Sequence, residues 1–321
     1  MLKISVVIPT FNAADTLERA VESCLQQNFT GYEIIIVDNN STDETLQVAR
    51  ALADAHDVIS VLQERKQGAA AARNTGARAA RGEWLQFLDA DDVLLGGKWE
   101  RQMELGIGYD WIVGASIDRA LNGAETVSPV IDDPWKGLVY NAGIGHTNSN
   151  LFRTEVFLKL GGQDENFRNN MDNDFYFRLL QTEPQIVMDN TPGSVYISRE
   201  GYRLSELPGV DSRRRVVDYQ IRVNDYLLRN RQQYYKKNEV FFRAALFRQL
   251  RIFATTDLRI ANSIVEEMYP NLGEVGQFPD KLRPYIRHLY PVLGFYWAER
   301  LRLAFRRVIP EQAKQYVKKH F

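Results

Sequence analysis

The sequence predicts an α/β fold, with a mostly parallel central sheet flanked by helices and a helical extension towards the C-terminus. Three observations carry this. Over roughly the first ninety residues, short β-branched runs alternate with amphipathic stretches, the pattern of βαβ units around a parallel sheet. The run Ile34-Ile35-Ile36-Val37 is unbroken by polar residues, as expected of a strand covered on both faces. Beyond about Asp211 the chain becomes rich in Tyr, Arg and Leu at helical spacing.

Taken in order, residues 4–8 read as the first strand and 14–27 as a helix with Leu17, Val21, Cys24 and Leu25 on one face. Residues 33–37 read as the second strand. A helix then begins near Ser41, where Ser41 and Glu44 have the spacing of a capping box. Residues 58–62, 69–80 and 83–88 follow as strand, helix and strand. Four strands in this order imply right-handed crossovers and a Rossmann-like crevice of nucleotide size at their carboxyl ends. After Leu95 the pattern loosens. The Gly- and Asp-rich stretch 122–137 reads as a surface loop, 175–181 as a helix, and 185–189 and 194–198 as strands closing the same domain. The expected division is a domain over 1–210, whose parts are 1–95 and 96–210, and a helical extension over 211–321. Within the extension, 216–229 and 239–253 have helical spacing.

Composition narrows the classes. A net charge of -1 argues against wholesale nucleic-acid binding. Cys24 is the only cysteine, which rules out a disulfide framework or a thiolate metal cluster and points to a reducing compartment. The apolar run at the N-terminus stops at Pro9, too soon for a signal peptide. No later run approaches the roughly 18 to 20 apolar residues of a spanning helix. The expected location is therefore cytoplasmic.

Ligands of such a sheet sit outside the carboxyl ends of its strands. Polar clusters occur there three times: Pro9-Thr10-Phe11-Asn12, Asp38-Asn39-Asn40-Ser41-Thr42-Asp43, and Asp89-Ala90-Asp91-Asp92. Each is also a good turn or cap sequence, but three on one rim suggest a site. Crowded carboxylates repel unless a cation compensates them, and Mg²⁺ or Mn²⁺ is commonly held by one or two carboxylates with phosphates completing the shell. The stretch from Gly68 to Gly76 starts a helix with small residues and carries Arg73 one turn in, a setting that favours anions. It has neither Walker nor dinucleotide spacing. Further on, Gly161-Gly162-Gln163-Asp164-Glu165 leads to Met171-Asp172-Asn173-Asp174. There Asp172 and Asp174 either cap a helix or offer a general base.

Together these stretches, in this order over roughly residues 3–205, resemble the successive motifs of family 2 glycosyltransferases. The resemblance implies a GT-A fold, a nucleoside-diphosphate-sugar donor (a UDP-sugar in the first instance) and inversion at the anomeric carbon. Residues 1–95 would then bind the nucleotide sugar, and 96–210 would face the acceptor. Carried over by position, Thr10, Phe11 and Asn12 would line the nucleotide pocket, Asp38 would bond the base and Arg73 would lie near the nucleotide. Asp89 and Ala90 would approach the ribose or a metal-bound water. Asp91 would ligate Mn²⁺ or Mg²⁺, and Asp172 would be the catalytic base, with Asp174 as the rival for that role.

Three departures from the family pattern stand out. Asn39-Asn40 replaces the common Asp-Gly, Met171 replaces the glutamate before the base, and no histidine follows the last strands, where Arg199 offers a substitute partner for the diphosphate. The Gln-x-x-Arg-Trp motif of processive synthases is also absent, which favours single addition to a glycan or lipid-linked acceptor in polysaccharide biosynthesis. Acceptor contacts are expected near His146 and Asn148, just ahead of a strand that follows Asn150, at Asp174, and in the 122–137 stretch. Two rival readings are a sugar nucleotidyltransferase, which would want an Arg-containing glycine loop after the first strand, and an inactive nucleotide-sugar-binding module. From Lys281 to Phe321 basic residues interleave with aromatic ones. That pattern fits either a peripheral contact with anionic lipid or a packed helix with a solvated basic face.

Overall fold

The computed structural model describes residues 3–140, 143–167, 170–198, 210–277 and 284–308. Two compact units divide the chain, Met1–Glu206 and Leu207–Phe321.

The first unit opens with β1 (Ile4–Thr10), α1 (Leu17–Leu25), β2 (Tyr32–Asp38), α2 (Thr45–Ala55), β3 (Ile59–Gln63), α3 (Ala69–Ala79) and β4 (Trp84–Phe87). The four strands are parallel in the order β3-β2-β1-β4. Alternation along β1 and β2 explains how both faces are filled. Val6, Ile8, Ile34 and Ile36 join Leu17, Val21 and Cys24 of α1 in one core, each side chain worth about 1.5–3 kcal/mol on full burial. Val7 and Val37 meet α3 on the other face. There Gly76 is required, because a Cβ at that position would collide with the Val7 side chain.

Helix α2 begins at Thr45, later than the spacing of Ser41 and Glu44 predicts. The Ser41 hydroxyl accepts the Asn12 amide, while the Asp43 carboxylate accepts the amide and hydroxyl of Thr45. Ser41 is thus spent on fastening the turn after β1; the N-cap position falls to Glu44, whose side chain makes no cap bond, while Asp43 just before it holds the first helical residue.

Past β4 come β5 (Val93–Leu94), α4 (Lys98–Leu105), β6 (Trp111–Gly114), β7 (Ser116–Arg119), β8 (Glu125–Ser128) and α5 (Pro134–Val139). Then follow β9 (Leu151–Arg153), α6 (Thr154–Lys159), α7 (Met171–Leu180), β10 (Ile186–Asp189) and β11 (Ser194–Ile197). The main sheet continues from β4 through β9 and β6 to β10, with β9 antiparallel to both neighbours. A second sheet runs β5-β11-β7-β8. The stretch 122–137, expected as a loop, instead supplies β8, which pairs antiparallel with β7, and the start of α5, which the Asp133 side chain caps.

The second unit contains α8 (Val210–Asn230), α9 (Gln232–Phe253), α10 (Leu258–Met268) and α11 (Pro284–Val308). Its core gathers Val217, Leu246, Phe247, Leu250, Phe253, Val265, Tyr290 and Phe295. Helix α11 is broken at Gly294, whose φ of 70° lies in the left-handed region. No described helix is long and apolar enough to cross a membrane. In the basic aromatic stretch, which fits either a lipid contact or a packed helix, Tyr290 and Phe295 are buried and Trp297 is exposed. Residues 281–283 and 309–321 of that stretch lie outside the described residues.

Candidate functional site

Strands β1, β2 and β4 finish on the same edge of the sheet. Thr10 stands opposite Asp38 in the β1–β2 register, and the Leu88 amide, just past β4, donates to the Val7 carbonyl of β1. Two strand spacings of roughly 4.8 Å put the ends of β2 and β4 on the order of 10 Å apart. The turns beyond are laced together. Thr10 donates its hydroxyl to the Val37 carbonyl at 3.2 Å, and Asn12, at φ 49°, accepts the Thr42 amide at 2.8 Å. Phe11 is 52% exposed between them.

Asp38 is buried, and its Oδ1 has no hydrogen-bond partner among the described residues. An acceptor orphaned in this way costs about 1–3 kcal/mol unless a ligand brings a donor. The neighbouring Asn39 donates to the carbonyls of Glu64 and Lys66 and accepts the Gly68 amide at 2.7 Å, tying the end of β2 to the entry of α3. Asn40 has φ 62°. It stands where the family commonly has glycine, and asparagine is among the few side-chain-bearing residues that tolerate this conformation. The turn therefore survives the substitution.

Arg73 joins the parts. It is buried on α3, beside the Phe87 ring, and donates from Nη2 to Asp89 Oδ1 at 2.6 Å and from Nη1 to Asp172 Oδ1 at 2.9 Å. Gln163 Nε2 donates to the same Asp172 oxygen at 2.6 Å. Burial works against the guanidinium charge, but the Asp89 and Asp172 carboxylates outweigh it and hold the arginine above its usual range. Each aspartate is fixed through Oδ1, and neither Oδ2 has a partner among the described residues.

In the acidic cluster after β4, Ala90 is buried and Asp91 half-buried, its carbonyl accepting from Arg19. Asp92 is buried and fully employed, accepting from Asn148 Nδ2 at 2.8 Å and from the Ile197 amide at 2.9 Å. Burial, together with the charges of Asp89 and Asp91, pushes its carboxyl well above the usual range. The outer oxygen of Asp89 has no partner among the described residues and is open to a cation. Among the described residues no three acidic, histidine or cysteine side chains form a self-sufficient metal site, so an ion here needs further oxygens, such as those of a diphosphate. The donor set fits Mg²⁺ or Mn²⁺, which take one or two carboxylates plus phosphate oxygens.

At the start of α7, Asp172 and Asp174 face different surroundings. Asp174 is buried and paired with Arg178 at 2.9 Å, which also bonds the carbonyls of Leu160 and Gly162, while the Asp172 side chain is 29% exposed. On the second sheet, His146 Nε2 lies 2.9 Å from Asp118 Oδ1, and its ring stacks on Tyr196 with centroids 4.6 Å apart. The His146 hydrogen bond holds the Asp118 carboxyl below its usual range. Asn148 is buried between Asp92 and Ser194, a link between the acidic cluster and β11 rather than an exposed contact.

The model of glycosyl transferase family 2 matches residues 5–204. The chain belongs to this family. It is 40% identical over 117 residues to the Campylobacter jejuni GalNAc(5)-diNAcBac-PP-undecaprenol β-1,3-glucosyltransferase, over 36% of this chain and 38% of that protein. It is 37% identical over 129 residues to the glycosyltransferase AglE of Haloferax volcanii, over 39% and 40% of the two chains. The first curated relatives are matched over only 31% to 62% of their own lengths. The fold resembles S. aureus TarS 1-349 in complex with UDP-GlcNAc, with a TM-score of 0.61, 15% identity and coverage of 95% and 92%. It also resembles the mannosyltransferase PcManGT of Pyrobaculum calidifontis in complex with GDP-Man and Mn²⁺, with a TM-score of 0.52, 15% identity and coverage of 94% and 86%. The expected family and the GT-A architecture are both borne out by these matches.

In this family 2 glycosyltransferase, two contacts of the candidate residues are not singled out by the sequence: Gln163, which bonds Asp172, and Asp118, which bonds His146. Gln163 lay within a motif stretch whose charged neighbours drew the attention. Asp118 carried no local signal, since only the fold brings it to His146. Met171, in place of the family's glutamate, is the buried first residue of α7. Arg199 lies outside the described residues.

Proposed function

We propose that this chain transfers a sugar from a nucleoside-diphosphate donor, UDP-linked in the first instance, to a hydroxyl of a glycan or lipid-linked acceptor, with inversion at the anomeric carbon. The supporting observation is the double engagement of Arg73. It draws Asp89, after β4, and Asp172, at the start of α7, onto one guanidinium, with both outer carboxylate oxygens left over. The UDP-GlcNAc bound by TarS and the undecaprenol-linked acceptor in the Campylobacter enzyme's name agree with this choice of substrates.

In the proposed reaction Asp172 Oδ2 takes the proton of the acceptor hydroxyl as its oxygen bonds to the sugar C1, and the C1–oxygen bond to the diphosphate breaks, releasing the nucleoside diphosphate. Arg73 and Gln163 hold Oδ1, so the carboxylate is oriented before substrate arrives. Asp38 accepts a hydrogen bond from the base, and Thr10 and Phe11 border it. A divalent ion held by Asp91 beside Asp89 would supply positive charge to the leaving diphosphate. Asp174, already paired with Arg178, serves the structure of α7.

Screening the purified protein against a panel of nucleotide sugars with and without Mn²⁺ identifies the donor. With that donor, Asp172→Asn is expected to lower kcat by on the order of 10²–10⁴-fold while nucleotide binding and circular dichroism stay unchanged. Undiminished transfer would remove Asp172 from the base role.

A further inference from the structure

The helical unit contains a cavity of about 260 Å³ lined by Arg213 of α8, Arg248, Arg251 and Ile252 of α9, Thr255 just beyond it, and Arg302 of α11. Four of these six residues are arginines and none is acidic. Glu299 is the nearby counter-charge, and it is fully committed. It has no solvent exposure, receives the Nε of Arg251 at 3.0 Å and of Arg302 at 2.6 Å, and accepts the Tyr290 hydroxyl. One carboxylate thus answers two guanidinium groups.

The geometry leaves donors over. Arg251 bonds Glu299 through Nε alone, and both of its terminal nitrogens lack an intramolecular partner among the described residues. Arg302 Nη1 is in the same position. Arg213 spends Nη1 on the hydroxyls of Thr255 and Thr256, which anchors its guanidinium at the rim. Like charges gathered around one cavity repel unless an anion enters it, and the forked guanidinium matches the oxygens of a phosphate two at a time. With liquid water taking up roughly 30 Å³ per molecule, the cavity has room for more than isolated waters.

We propose that this arginine-lined cavity is a binding site for a phosphate group, separate from the crevice that would take the nucleotide sugar. Such a group comes either from a soluble phosphate compound or from the headgroup of a lipid. The lipid source is worth testing because α11 also exposes Val292, Trp297 and Leu301. The proposal stands without the glycosyl-transfer reading, since it rests only on residues of the helical unit.

The test uses the full chain and the double variant Arg213→Gln/Arg248→Gln, which leaves both pairs to Glu299 in place. Inorganic pyrophosphate is titrated calorimetrically into each protein at low salt. Each protein is also sedimented with phosphatidylcholine vesicles, with and without phosphatidylglycerol. Only the difference between the two proteins is read, so anion binding in the untouched crevice cancels. At least one probe is expected to bind the double variant about tenfold or more weakly, the scale of losing one charge-assisted hydrogen bond. Loss with pyrophosphate alone identifies a soluble phosphate, and loss with phosphatidylglycerol vesicles a lipid headgroup. Equal binding by both proteins, or no binding of either probe, overturns the proposal. Unchanged circular dichroism and thermal unfolding of the variant secure the comparison. The single variant Arg248→Gln takes its place if the double variant unfolds.

Discussion

Replacing Arg73 by glutamine tests the joint at the centre of the site. The substitution removes two charge-assisted hydrogen bonds, to Asp89 at 2.6 Å and to Asp172 at 2.9 Å. Bonds of this kind are worth about 1.5–3 kcal/mol each before solvent competes. The two carboxylates are 38% and 29% exposed, so water recovers part of the loss, and a net destabilisation of about 2–3 kcal/mol is expected. For a unit of this size that corresponds to a fall in Tm of roughly 4–12 °C. Transfer suffers more than stability does, because Asp172 keeps only Gln163 to orient it, and a misplaced catalytic group costs on the order of 10²-fold in kcat. Thermal unfolding followed by circular dichroism reads the first effect, and initial rates of sugar transfer read the second. The decisive comparison is Arg73→Gln combined with Asp172→Asn. If arginine acts through the aspartate, the double variant is no slower than Asp172→Asn alone. Losses in kcat that multiply instead would refute the coupling.

Three further expectations follow from individual side chains. Asp91→Ala should abolish Mn²⁺-stimulated transfer, as a metal titration of initial rates would show; a retained Mn²⁺ response would exclude Asp91 as the ligand. Asp38→Ala removes the buried acceptor that lacks a partner, so calorimetry should find UDP bound about tenfold more weakly, with stability unchanged or improved. Glu33 is held below its ordinary value of 4.5: burial opposes the charge, but the bonds from Ser5 and Arg81 prevail. The unfolded chain therefore takes up this proton first on acidification, so the stabilisation is complete above about pH 4.5 and is lost as the pH falls through the lower folded value. Chemical denaturation across that range should give a shallower acid limb for Glu33→Gln than for wild type.

The amino-acid pattern makes the first half of the α/β unit legible because its strands lie inside a parallel sheet. Val6 to Ile8 and Ile34 to Val37 are apolar on both faces, and the polar residues mark where each strand stops. Strand β6 goes unread for the complementary reason, since its four residues carry no usable period, and β9, although a strand is expected after Asn150, pairs antiparallel where a mostly parallel pattern is expected. The capping box at Ser41 failed because a hydroxyl that suits a helix start suits the Asn12 amide equally, and only the folded chain decides between them. The same applies to Asn148. Its polarity suggested a contact surface, whereas the structure buries it as a link to Asp92. In the acidic positions, sequence alone could not separate Asp172 from Asp174, since both lie in the first turn of α7. The separation comes from Arg73 and Arg178, which are distant from each other in sequence and sort the two carboxylates into different surroundings.

Strand β9 has a wider consequence. The main sheet is continuous from β3 to β10 only through this three-residue strand, which touches β4 through Leu85 and Trp84 and touches β6 through Trp111 and Ile112. So short a seam makes the fabric on its far side exchangeable. Insertions or rearrangements between β5 and β10 can remodel the surface that greets an incoming partner without shifting the register of β1 and β2, which aligns Thr10 with Asp38.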